Sequence, residues 1–203
     1  MDNHIIEDDS FLTESEQLDF IKHIFGDENV GSQKPKWRLT NIQPFIFKQK
    51  DKEAFPYSDT PLAFNHEKAK PFFQVIGEVE FEDFKYIFDK FCLKHNIEYD
   101  KILRSRIVVL GMNNDDSFHY PHIDTIVKHD VFLYYLHDSD GDTIFFDKFF
   151  GDKTDNAQII KRVTPKMGKA IRFNGHQFHS SYTTKENAFR CILNVDYTVK
   201  KAG

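Results

Sequence analysis

The chain has 203 residues, room for one domain with a sizeable core and short for two. With 40% hydrophobic and 29% charged residues it reads as globular rather than disordered, and no apolar run nears the ~18–20 residues of a membrane span. The net charge of −5 argues against a partner gripped through a phosphate backbone, and the opening Met1-Asp2-Asn3-His4 lacks the basic-then-apolar pattern of a secretory signal, so a cytoplasmic location is expected.

In chain order, Thr13-Glu14-Ser15-Glu16 has the form of a capping box. Leu18, Ile21, Ile24 and Phe25 follow at helical spacing, and Gly26 ends the run. Residues 37–47 read as strand, and 48–71, with Pro56, Pro61 and many charges, as a long loop. A second helix is expected from about residue 73 to 95, with Phe81, Phe84, Phe88, Phe91 and Cys92 as one apolar stripe.

Beyond residue 100 the pattern changes to short strands: 102–112, 118–125, 130–137, 143–147, 158–164, 170–173, 177–182 and 189–199. Turn residues separate them at 138–142, Pro165 to Gly168 and Asn174-Gly175. The 22 Phe and 8 Tyr suit a β-rich core. Strands that do not alternate with helices exclude a doubly wound α/β fold. The expected class is mainly β (α+β): one domain over 1–203, an eight-stranded jelly roll over about 101–200, buttressed by the helical region before it. Cys92 and Cys191 lie far apart in apolar runs, as buried thiols in a reducing compartment would.

Four places carry chemistry. In His122-Ile123-Asp124 the two polar residues share one face of an extended segment and can approach one metal. With ten His and 32 acidic residues in the chain, roughly one or two such pairs arise by chance, so the pair alone decides nothing. A later strand delivers His179, with His176 beside the turn as its competitor. Two His and one carboxylate with open positions suit non-haem iron(II) that activates oxygen, whereas an isolated His is more often a hydrogen-bonded core residue.

Arg190, eleven positions after His179, sits among Phe189, Cys191 and Ile192. Burying it demands an anionic partner, either a structural carboxylate or a carboxylate-bearing co-substrate. Finally, one of Tyr134 and Tyr135 must face the barrel interior, where its hydroxyl needs a polar partner.

The ordered set His122-x-Asp124, Tyr135 in a Tyr-Tyr-Leu strand, a turn at Gly141, His179 and then Arg190 resembles the 2-oxoglutarate- and iron(II)-dependent dioxygenases, in their compact prolyl-4-hydroxylase-like branch. The segment Ile5-Ile6-Glu7-Asp8-Asp9-Ser10-Phe11-Leu12-Thr13 is also similar to that family's lead-in to its first helix. The resemblance implies a double-stranded β-helix with iron ligated by His122, Asp124 and His179. It implies that Arg190 and Tyr135 bind the distal carboxylate of 2-oxoglutarate, with Asn194 as a further polar contact. It also implies that O2 is consumed, 2-oxoglutarate becomes succinate and carbon dioxide, and a C–H bond is hydroxylated.

The branch acting on alkylated nucleic acid has a second Arg six residues after the first; Asp196 stands there, which disfavours nucleic acid. The expected acceptor is a prolyl or other amino-acid side chain in a peptide or protein, with a free amino acid or other small molecule as the alternative. Two readings from other classes are a zinc or manganese enzyme on a cupin-like barrel and a non-catalytic binding module with a degenerate site. Arg190 argues against the first and the complete ligand set against the second. Oligomeric state is not legible in the sequence.

Overall fold

The computed structural model describes residues 4–26, 37–44, 64, 66–69, 73–112 and 116–200. After β1 (Ile6–Asp8), Thr13 caps α1 (Glu14–Phe25). The Thr13 hydroxyl accepts from the Glu16 N–H at 3.3 Å, and the Glu16 carboxylate accepts from the Thr13 N–H at 2.9 Å, closing the box. Then come β2 (Trp37–Pro44), β3 (Phe73–Val79) and α2 (Phe81–Lys94). The remaining strands are β4 (Tyr99–Gly111), β5 (Asp130–Tyr135), β6 (Thr143–Phe149), β7 (Ile159–Val163), β8 (Ala170–Asn174), β9 (Gln177–Ser181) and β10 (Phe189–Val199).

Two expectations are corrected. The helix expected over 73–95 is a strand followed by a helix: β3 pairs with both β2 and β4, and only from Phe81 does the chain turn helical. Val75, Gly77 and Val79 have the period of two that a strand requires, and ladder bonds on both edges satisfy its backbone. The segment 118–125 is not a strand. Phe118 and His122 make isolated bridges to Tyr182 and His179, and Pro121 between them has no N–H to donate. The expected loop over 48–71 lies outside the described residues except at 64 and 66–69, as does the end of the strand expected to reach 47.

The strands form two antiparallel sheets, one ordered β1-β8-β5-β10-β4-β3-β2 and one ordered β7-β6-β9, which together make the jelly roll. The faces of the large sheet differ. Phe132, Tyr134, Leu193, Val195 and Tyr197 turn outward beneath the helices, against Phe20 and Ile24 of α1 and Phe84, Phe88 and Phe91 of α2. The Phe88 ring lies 5.0 Å from that of Tyr197 and 5.3 Å from that of Phe132. Burying each such side chain contributes about 2–3 kcal/mol, which fixes the helices on this face.

The opposite face carries Val108, Leu110, Leu133, Tyr135, Phe173 and Ile192 into the space between the sheets, against Phe145 of β6. The candidate site lies in that interior. Cys92 and Cys191 are buried free thiols, and burial pushes both up to about 12. Among the described residues no helix is long and apolar enough to cross a membrane.

Candidate metal and anion site

The backbone explains why two distant histidines meet. The His122 N–H donates to the His179 carbonyl at 2.9 Å, and the His179 N–H returns a bond to the His122 carbonyl at 3.1 Å. Residues paired this way in an antiparallel bridge project to the same side, and their rings stand 4.8 Å apart. Asp124, two residues on, joins them. Ligand atoms of His122, Asp124 and His179 all lie within 4.8 Å of one another.

Each histidine is oriented from behind. The His122 Nδ1 meets the Tyr120 carbonyl at 2.8 Å, and the His179 Nδ1 meets the Gln177 carbonyl at 3.0 Å. A carbonyl only accepts, so both Nδ1 atoms carry the proton and both Nε2 lone pairs face the shared space. Burial, then the proximity of His179, pulls the His122 pKa down to about 3, which keeps it neutral. His119, also buried close by, is pulled down to about 4.

The third donor is held ionised. Burial alone would raise the Asp124 carboxyl, but the guanidinium groups of Arg106 and Arg104 outweigh it and, with His179, hold it well below the usual range. Its Oδ1 accepts from Arg106 at 2.5 Å and Arg104 at 2.8 Å. Its Oδ2 stays on the open side, 3.5 Å from the His179 Nε2 and 3.5 Å from the Asn194 Nδ2. Arg104 also grips Asp196, at 2.5 Å through Nη2 and 2.9 Å through Nε. Burial and the Asp124 charge push the Asp196 carboxyl up, against the pull of Arg104 and Arg106.

Arg190 is 1% exposed. Its Nη1 donates to the Ser181 hydroxyl at 2.7 Å and its Nη2 to the Thr143 hydroxyl at 2.6 Å. The Tyr135 hydroxyl shares the Thr143 oxygen at 2.7 Å, and the guanidinium lies 5.7 Å from the Tyr135 ring centre. No carboxylate pairs with Arg190 among the described residues, and its Nε has no partner among them. Gly141 makes room for this arrangement: a Cβ there would stand 2.8 Å from the Thr184 methyl and 3.3 Å from the Arg190 Cδ.

His122, Asp124 and His179 are thus brought together, and Arg190 and Tyr135 meet on the same interior face. Asn194 sits beside Asp124 rather than beside Arg190. His176 points elsewhere, its Nε2 at 3.1 and 3.2 Å from the Ile126 and Val127 carbonyls. Tyr134 faces the helices, its ring 5.6 Å from that of Phe20.

Arg104, Arg106, Asp196, Thr143 and Ser181 were not anticipated. For the two arginines a signal existed: Arg104-Ser105-Arg106 in an apolar strand raises the same burial problem as Arg190. The hydroxyls of Thr143 and Ser181 carry no such mark.

No protein-family model matches the chain, and no curated protein matches it by sequence. Solved structures do. A prolyl hydroxylase from Trichoplax adhaerens, in complex with a hypoxia inducible factor oxygen degradation domain peptide fragment, superposes with a TM-score of 0.59 at 11% identity, covering 97% of this chain and 84% of that one. A Pseudomonas putida prolyl-4-hydroxylase gives 0.54 at 10% identity, covering 98% and 94%. HygX from Streptomyces hygroscopicus, with nickel, 2-oxoglutarate and hygromycin B bound, gives 0.53 at 11% identity, covering 96% and 82%. Over nearly its whole length, the chain has the jelly-roll fold found in these prolyl hydroxylases and in this 2-oxoglutarate-binding protein.

Proposed function

We propose that the chain is an iron(II)- and 2-oxoglutarate-dependent dioxygenase that hydroxylates an unactivated C–H bond, with an amino-acid side chain of a peptide or protein, prolyl first, as acceptor. The observation that carries this reading is the buried guanidinium of Arg190, lined by hydroxyls, without a carboxylate among the described residues, and facing the same interior as the three donors. A buried cation left so is costly, and a dicarboxylate supplies what it lacks. A hydrolytic zinc or manganese site has no need of it.

The donor set also fits: two imidazoles presenting Nε2 and one ionised carboxylate, all turned to one side, suit a facially bound iron(II). Bound there, iron with 2-oxoglutarate and O2 supplies an oxidation in which the co-substrate becomes succinate and carbon dioxide. The chain's own part is geometric and electrostatic. His122 and His179 present Nε2 because their Nδ1 protons are spoken for, and Asp124 presents Oδ2 because the arginines occupy Oδ1. Arg190, Thr143, Ser181 and Tyr135 receive the distal carboxylate. Val108, Leu133, Phe173 and Ile192, buried with Tyr135 in one apolar cluster, would keep water from the co-substrate. The peptide held by the Trichoplax neighbour supports a peptidyl acceptor.

The test is anaerobic addition of iron(II) and 2-oxoglutarate. Wild type should develop the visible charge-transfer band of the chelate, and His179→Ala should not. No band in wild type, or an unchanged band in the variant, refutes the reading.

A further inference from the structure

The register of β10 on β4 sets an ordered row on the interior face: Arg190 opposite Leu110, Ile192 opposite Val108, Asn194 opposite Arg106 and Asp196 opposite Arg104. Arg190 and Arg104 are therefore at opposite ends of the row. The layer of Asp124, His179 and Asn194 lies between them, since Asn194 contacts Asp124 and Asp124 contacts His179. If one end receives the co-substrate, the other borders the acceptor.

That second end presents positive charge. The side chains of Asp124 and Asp196 are 2% and 1% exposed, whereas that of Arg104 is 39% exposed. Arg104 spends Nε and Nη2 on the two carboxylates, and Nη1 takes no part in those bonds. The two guanidinium groups balance the two carboxylates without any metal. A divalent cation taken up through the Asp124 Oδ2 then leaves a local excess of positive charge, in surroundings where unbalanced charge is costly. A neutral acceptor would cover that excess; an anionic one would neutralise it.

We propose that Arg104 is a specificity-determining residue that receives a carboxylate of the acceptor through Nη1, beside the metal and away from Arg190. The carboxylate belongs either to a free acid or to an acidic side chain of a peptide. This assignment rests on the oxygenase reading. A guanidinium pairs with a carboxylate through charge-assisted hydrogen bonds, so acceptors should differ sharply from their amides.

The experiment is calorimetry on the protein loaded with zinc(II) and saturating 2-oxoglutarate. The probes are the free L-amino acids with their C-terminal amides, and short prolyl peptides carrying Asp or Glu with their Asn or Gln counterparts. At least one acid should bind tenfold or more tightly than its amide. Measured at zinc(II) and 2-oxoglutarate concentrations that saturate each variant, Arg104→Ala should erase that margin and Arg104→Lys should retain part of it. Whether the free acids or the acidic peptides show the margin identifies the source of the carboxylate. A panel in which no acid binds better than its amide, or a margin that survives in Arg104→Ala, overturns the assignment. If Arg104→Ala does not fold, the wild-type margin and Arg104→Lys decide. Failure to take up 2-oxoglutarate, measured first, overturns the oxygenase reading and this assignment with it.

Discussion

At the scale of single residues, the site is organised by which atom is already occupied. Backbone carbonyls take the Nδ1 protons of His122 and His179, and two guanidinium groups take one oxygen of Asp124. What remains, two Nε2 atoms and one Oδ2, faces the same space. Outer contacts of this kind typically change metal affinity 10- to 100-fold when removed. The sequence left His176 and His179 in competition because both follow the Asn174-Gly175 turn. Only the paired backbone bonds to His122 separate them, and a register across distant segments is not written in either one. His179→Ala should therefore abolish stoichiometric retention of iron(II) after anaerobic dialysis, read by elemental analysis, while His176→Ala retains it within about twofold. The reverse result would make His176 the ligand. Gly175 has its own reason to be glycine, since a Cβ there would overlap the His129 ring.

At the scale of elements, the strands of the interior were legible because the apolar run of β5, the alternation along β10 and the turns between strands are local signals. α1 was legible from its capping box. β3 was hidden because its apolar residues run straight into the Phe stripe of α2, and its strand character depends on neighbours far away in sequence. β1, three residues long, was not anticipated as a strand. It is fastened at Asp8, whose Oδ2 meets Lys94 at 2.8 Å and His95 at 2.7 Å at the end of α2, while Oδ1 accepts from the Ser10 N–H at 2.8 Å. Burial would raise this carboxyl; the bonds from Lys94, Ser10 and His95 outweigh it and lower it to about 2. A depressed carboxyl contributes stability above its unfolded pKa near 4, and the contribution is lost as pH falls towards 2. Urea denaturation should show Asp8→Asn about 1–2 kcal/mol less stable than wild type at pH 7, with the gap closing between pH 4 and pH 2. A gap independent of pH would assign the loss to packing.

At the scale of the molecule, the large sheet separates two tasks. Its outer face is covered by helices through Phe20, Phe84, Phe88 and Phe91, and its inner face carries Arg190, while His179 stands on β9 of the small sheet with His122 bridged to it. Stability is thereby anchored away from the site, while the site retains polar groups without partners among the described residues, including the Arg190 Nε and the Asn194 Oδ1. Ligands that meet those groups should stabilise the fold by mass action. Zinc(II) with 2-oxoglutarate, each at about 100 times its dissociation constant, should add roughly 5 kcal/mol and raise Tm by about 10–20 °C. 2-Oxoglutarate alone should add less than it does in the presence of metal. Equal shifts with and without metal would separate the two sites. Most of the account depends on Arg190 serving a dicarboxylate rather than the fold. The direct measurement is the affinity of Arg190→Ala for 2-oxoglutarate and for iron(II), determined anaerobically beside wild type. The predicted result is a 2-oxoglutarate affinity weakened at least about thirtyfold, the order of a lost charge-assisted pair, with iron affinity within a few-fold. Equal loss of both would make Arg190 a structural residue and contradict the account.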